Sequence, residues 1–165
     1  MDNKYKKYKK AIWIIVCVLQ VMFSFSQNKE NLIFKNIPKV NFMLYTPNDT
    51  PNLITYGCIN CSFGIEHIRN QANYNNYHDS FKVNKKLFEI DELLDQQGMD
   101  FYNVTYNNKK YLFVVSQVSE PSRFSYKYKH YYLFSFNRQM VVISFKKLVA
   151  SKLNKEKAFL KMMPH

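Results

Sequence analysis

Between Phe101 and Lys146, short aromatic and β-branched runs alternate with pairs of polar residues, and this pattern constrains the fold more than any other in the chain. FYNVTY, then Asn107-Asn108, then KKYLFVVSQV has the form of a β-hairpin. YYLFSF, then Asn137-Arg138, then QMVVISF has the form of a second. Asparagine enters the left-handed backbone region at less cost than most residues, so both polar pairs are credible tight turns. Joined across Ser119–Ser125, the hairpins predict a four-stranded antiparallel meander. Thirteen of the 45 residues from 101 to 145 are aromatic, more than one buried sheet face requires, which predicts that some rings remain at the surface.

Upstream, Asn84–Gln97 carries Leu87, Ile90 and Leu94 at helical spacing, with Phe88 and Leu93 beside them, Asn84 as a cap and Gly98 as a terminator. The spacing predicts one amphipathic helix over these residues. A competing reading pairs Phe81–Val83 with Lys86–Ile90 around Asn84-Lys85 and starts the helix at Asp91. Leu32–Phe34, Val40–Tyr45 and Leu53–Tyr56 are short apolar runs split by Pro38, Pro47 and Pro51, as expected of short strands. The polar, Asn-rich segment Asn70–Ser80 reads as a loop. From about residue 147 the chain becomes a lysine-rich tail or a short amphipathic helix. The predicted class is α+β: a four-stranded antiparallel meander packed by one helix, a small β-rich sandwich.

The chain opens with five lysines among its first ten residues, followed by an almost unbroken apolar run from Ala11 to Phe23. This is the layout of a secretory signal, with Ser24 and Ser26 in the −3 and −1 positions for cleavage before Gln27. A helix over the run would be about 20 Å long, against a hydrocarbon core of about 30 Å. It is short for a membrane span. Its apolar side chains point in all directions, which argues against a core helix with one polar face. Cys17 lies mid-run behind bulky residues, so a lipid-anchor reading fails. The expectation is a signal over residues 1–26 and a single domain over 27–165, acting outside the cytoplasm in the periplasm, at the cell surface or beyond. If the signal is retained, the domain is tethered to the membrane by that segment alone.

The full chain carries a net charge of +12, of which the signal contributes +4, leaving +8 on the remainder. Nearly all of the cations are lysine, and only Arg69, Arg123 and Arg138 supply the planar fork that reads phosphates and bases. Nucleic acid is therefore not an expected partner. A basic exported surface suits anionic polymers or headgroups of the cell envelope, although joint enrichment in Lys, Asn, Ile, Phe and Tyr also follows from an A/T-rich coding sequence.

With glycine only at 57, 64 and 98, neither a phosphate-binding loop nor a dinucleotide-binding turn can be drawn. A nucleophile elbow and a zinc-protease helix are absent from the sequence as well. No cofactor is implied.

Three constellations remain. Cys58-Ile59-Asn60-Cys61 is a close-spaced pair that in an exported protein forms a structural disulfide or a redox centre. The redox reading needs a helix starting just after the pair to lower a thiol pKa, and Ser62–Ile68 is where that helix would be. Adding His67 and His78 gives Cys58, Cys61, His67 and His78 as a four-ligand set of the right chemistry for zinc, at a spacing unlike the familiar fingers. Finally, Tyr126, Lys127, Tyr128, Lys129 and Tyr131 form an aromatic and basic run suited to stacking on sugar rings or holding an acidic partner. The competing reading is an edge strand whose tyrosines pack inward while its lysines block aggregation. Taken together, these features predict a small non-enzymatic exported protein that binds a macromolecule or glycan at the cell envelope, with thiol–disulfide chemistry at Cys58 and Cys61 as the alternative.

Overall fold

The computed structural model describes residues 31–45, 53–73, 76–90, 94, 98–117 and 128–163. The proposed signal, the Ser119–Ser125 connection and most of the 91–97 segment lie outside them. The described residues form β1 (Ile33–Ile37), β2 (Phe42–Tyr45), β3 (Leu53–Cys58), β4 (Ile65–Asn73), β5 (Asn76–Val83), β6 (Lys86–Ile90), β7 (Asp100–Tyr106), β8 (Lys109–Gln117), β9 (Lys129–Phe136), β10 (Val142–Ala150) and the helix α1 (Lys155–Met162). A single 3-10 turn, Lys39–Asn41, leads into β2.

The strands form two five-stranded antiparallel sheets. One has the order β1-β7-β8-β9-β10 and the other β2-β3-β4-β5-β6. The second sheet packs on one face of the first, where Ile65, Phe81 and Val83 meet Leu112, Val114, Tyr132 and Phe134. Helix α1 packs on the opposite face, where Ala158, Phe159 and Met162 meet Val104, Tyr111, Phe113, Tyr131 and Leu133. The β1-β7-β8-β9-β10 sheet is thus central and the other outer.

Burial on both faces explains why β8 reads as an unbroken apolar run, with Tyr111 through Ser116 all buried. It also absorbs the aromatic excess. Phe159 of α1 is met edge-on by Phe34, Tyr106, Tyr111 and Phe113 at centroid distances of 5.6, 5.7, 5.5 and 5.7 Å. On the other face, Phe81 makes the same kind of contact with Phe101, Tyr132 and Phe134. Edge-to-face pairing brings the positive ring edge to the negative ring face, so clustered rings add stability beyond the area they bury.

Several expectations are corrected. No helix starts at Asn84. That residue and Lys85 form a two-residue turn, with φ of 46° and 70°, between β5 and β6, and Phe81 pairs with Phe88 and Val83 with Lys86. The helical spacing was misleading because the alternation of Phe88 and Ile90 toward the core carries the burial, while Leu87 faces out. The described part of the Asn70–Ser80 segment is strand rather than loop, since β4 and β5 pair there from Asn70↔His78 to Asn73↔Asn76 across a bulge. The turn between β9 and β10 is longer than Asn137-Arg138. It runs to Val141, with Met140 at φ 62° and the Asn137 side chain accepting from the backbone N–H groups of Gln139 and Val141 at 3.0 and 2.9 Å.

The expected four strands are part of a larger arrangement, because β1 adds to β7 and a second sheet covers the first. The helix that packs on the central sheet is C-terminal and begins only at Lys155, after β10 has run to Ala150. Asn154 caps it, accepting the Lys157 N–H at 2.9 Å.

Candidate functional site

The β7–β8 turn, Asn107-Asn108, has φ of 47° and 59°. At the other end of β8, Gln117 pairs with Lys129, where β9 begins. The aromatic and basic run leads into this point. Tyr126 and Lys127 lie outside the described residues. Tyr128 is 51% exposed and Lys129 is exposed beside it, paired across to Ala150 two residues before the exposed Lys152. Tyr131 is placed differently. It is 1% exposed, stacks on Phe113 at 5.9 Å and donates its hydroxyl proton to the Leu153 carbonyl at 2.5 Å. Its role is to join β9 to the chain entering α1, and burial pushes its phenol pKa up. The sequence grouped Tyr131 with Tyr128 in one candidate binding run, but α1 covers the face on which Tyr131 lies. Among the described side chains, Tyr128 is the one aromatic ring left open to solvent.

Cys58 ends β3, lies opposite Phe42 and is disulfide-bonded to Cys61, with the α-carbons 5.8 Å apart. Both cysteines pack against the core between the sheets. Cys61 is followed by a bend and then by β4, so strand stands where the redox reading needs a helix over Ser62–Ile68. The pair therefore has no helix N-terminus to stabilise a thiolate. Phe63 stacks on Phe136 at 4.4 Å, and the Gly64 N–H donates to Asn84 Oδ1 at 2.8 Å. Asn84 also donates its backbone N–H to the Gly64 carbonyl at 2.8 Å and its Nδ2 to the Met140 carbonyl at 2.6 Å. One asparagine thus links the disulfide-containing connection, its own turn and the β9–β10 loop.

The four residues of the zinc hypothesis do not present a ligand set. The cysteines are bonded to each other, and the His78 side chain lies outside what is described. His67 is buried between Tyr56 and Phe81 with Nε2 3.2 Å from Asp79 Oδ1, out of line for a hydrogen bond. Among the described residues, no group of three or more His, Cys, Asp or Glu side chains is arranged to hold a metal ion.

Sequence reasoning missed the most strongly charged feature of the interior. Asp79 is fully buried, pairs with Arg69 across β4 and β5, and accepts from Arg69 Nε and Nη2 at 2.9 and 3.2 Å. It also accepts the Leu94 N–H at 2.5 Å, while Arg69 Nη2 donates to the Leu94 carbonyl. Burial pushes the Asp79 pKa up, but His67, Arg69 and the Leu94 N–H together outweigh it and hold the carboxyl below its ordinary value. The bonds from Asp79 and Arg69 fix Leu94 against the outer sheet. Nothing local in the sequence announces it, because the partners are ten and fifteen residues apart and are brought together only by strand register.

Comparison of the chain with family models, with curated proteins and with solved structures finds no match.

Proposed function

We propose that the chain is exported and works in the cell envelope as a non-enzymatic binding protein, holding a glycan or another anionic macromolecule at the head of β9. The observation that carries this reading is the isolation of Tyr128. A protein that places its other described rings in the core or partly against it leaves this one open, with Lys129 beside it. An exposed ring offers stacking area at low entropic cost, and the adjoining lysine attracts negative charge. The net charge of the chain favours the same class of partner. Support for export comes from the cationic and apolar opening of the sequence. Arg69 and Asp79 of the interior ionisable cluster are occupied in holding the Leu94 backbone, a structural use that fits a protein without a reaction centre there.

The thiol–disulfide alternative has the Cys58–Cys61 pair to offer, without the helix that would activate it.

The test is binding of the full chain and of Tyr128→Ala to immobilised polysaccharides bearing uronic acid or phosphate groups, with a neutral glucan as control. The expected result is retention on the anionic polymers that weakens about tenfold in Tyr128→Ala, a loss of about 1.4 kcal/mol. Equal binding by both proteins, or none by either, contradicts the proposal.

A further inference from the structure

Each sheet ends in two edge strands, and the four edges are not alike. Strand β1 carries the exposed Lys35, β6 the exposed Lys86 and Glu89, and β10 the exposed Lys146 and Lys147. Charged side chains on an edge are the usual protection against pairing with another chain, because bringing a second strand alongside would strip their water. Strand β2 has none. From Val40 to Asn48 the sequence is uncharged, and β2 itself is Phe-Met-Leu-Tyr.

Among the described residues, strand β2 pairs on one side, with β3. Phe42 is held in place by stacking on Phe101 at 4.4 Å. The next two residues are open, Met43 at 57% and Leu44 at 59%, and Val40 in the preceding turn is 81% exposed. Successive strand residues point to opposite faces, so Met43 and Leu44 put apolar surface on both sides of the same unguarded edge. The Ile59 N–H donates to the Asn41 carbonyl at 2.7 Å, which brings a further exposed apolar side chain to this corner.

We infer that β2 is a self-association edge, on which a second copy of this chain pairs its own β2 antiparallel and joins the two outer sheets into one continuous sheet. Two considerations select a second copy as the occupant. The chain is strongly basic, so two copies repel over most of their surfaces and can approach closely only where charge is missing, as it is here. An antiparallel strand meeting its own copy is also related to it by a twofold axis, so the contact is self-complementary and closes at two subunits. This inference is independent of what Tyr128 binds.

Sedimentation velocity on the full chain tests it, with the N-terminal segment kept in every variant so that any association through that segment is common to all. The expected mass is twice that of a single chain. Leu44→Lys and Met43→Lys, which alter exposed side chains on opposite faces of β2, should each restore the single-chain mass with an unchanged far-ultraviolet circular dichroism spectrum. Ile143→Lys on the already lysine-bearing β10 should leave the doubled mass intact. Amide exchange gives a second readout, with residues 42–45 slowing as protein concentration rises. A single-chain mass for the unsubstituted protein, as expected if the edge receives a segment of another protein, overturns the inference. So do a doubled mass that survives both lysine substitutions and growth beyond two copies.

Discussion

The two faces of the central sheet are covered by very different elements, a five-stranded sheet on one and an eight-residue helix on the other, yet both are packed around a phenylalanine ringed by aromatic neighbours. Phe81 plays this part between the sheets and Phe159 beneath the helix. A helix this short is marginal alone, so its order derives from the apolar face it buries. The area of the covering element therefore matters less than whether it places one large ring among several. If the two faces are equivalent in this sense, Phe81→Ala and Phe159→Ala each destabilise the protein by about 3–5 kcal/mol in chemical denaturation. A cost for Phe159→Ala below about 1 kcal/mol, within the range of surface substitutions, would break the equivalence and make the helix an accessory.

The faces differ in charge. The outer sheet contains a buried ion network, whereas the helix-side pair of Lys155 and Glu156, 3.9 Å apart, lies at the solvent-exposed start of α1. Asp79→Asn should therefore cost about 3 kcal/mol, because Arg69 keeps its charge and loses its partner. The pH dependence sharpens the point. A carboxyl with a depressed native pKa binds fewer protons in the folded than in the unfolded state, so its contribution is complete above about pH 4 and is lost as pH falls toward the native value. The acid limb of the stability curve should be shallower in Asp79→Asn than in the unsubstituted protein, as followed by denaturant midpoints across that range.

Two smaller effects separate the covering elements themselves. Reducing the Cys58–Cys61 disulfide, or replacing both residues with serine, frees a four-residue loop in the unfolded chain and should cost about 2 kcal/mol. Asn154→Ala removes the cap from α1 and should cost about 1 kcal/mol, visible as a small drop in thermal midpoint. The opposite order would mean that the helix start is more constrained than the disulfide connection.

What the sequence made legible was what local chemistry decides. The β7–β8 hairpin could be read because Asn107 and Asn108 are turn residues between strongly patterned strands, and both adopt positive φ. The β5–β6 hairpin was readable only as an alternative, since Leu87, Ile90 and Leu94 fit a helix, whereas the strand turns Phe88 and Ile90 to the core and leaves Leu87 open. The β4–β5 pairing was hidden, because Asn-rich polar strands resemble a loop and Arg69 meets Asp79 only through register. Tyr131 was misplaced for a related reason. The residues that cover it belong to a helix more than twenty positions downstream, and strand alternation carries no information about a second covered face. Cys58 and Cys61 were legible as a pair. Their structural setting depended on whether helix or strand followed, which spacing alone does not decide.

The claim on which the rest depends is that the central sheet is buried on both faces, since this is what leaves Tyr128 as the one open ring among the described side chains. Native-state amide exchange tests it most directly. The account predicts that Leu112–Val115 of β8 and Tyr131–Phe134 of β9 exchange only through global unfolding, more slowly than β6 and β2 at the edges of the outer sheet. Exchange of β8 and β9 as fast as that of the outer edge strands would contradict it.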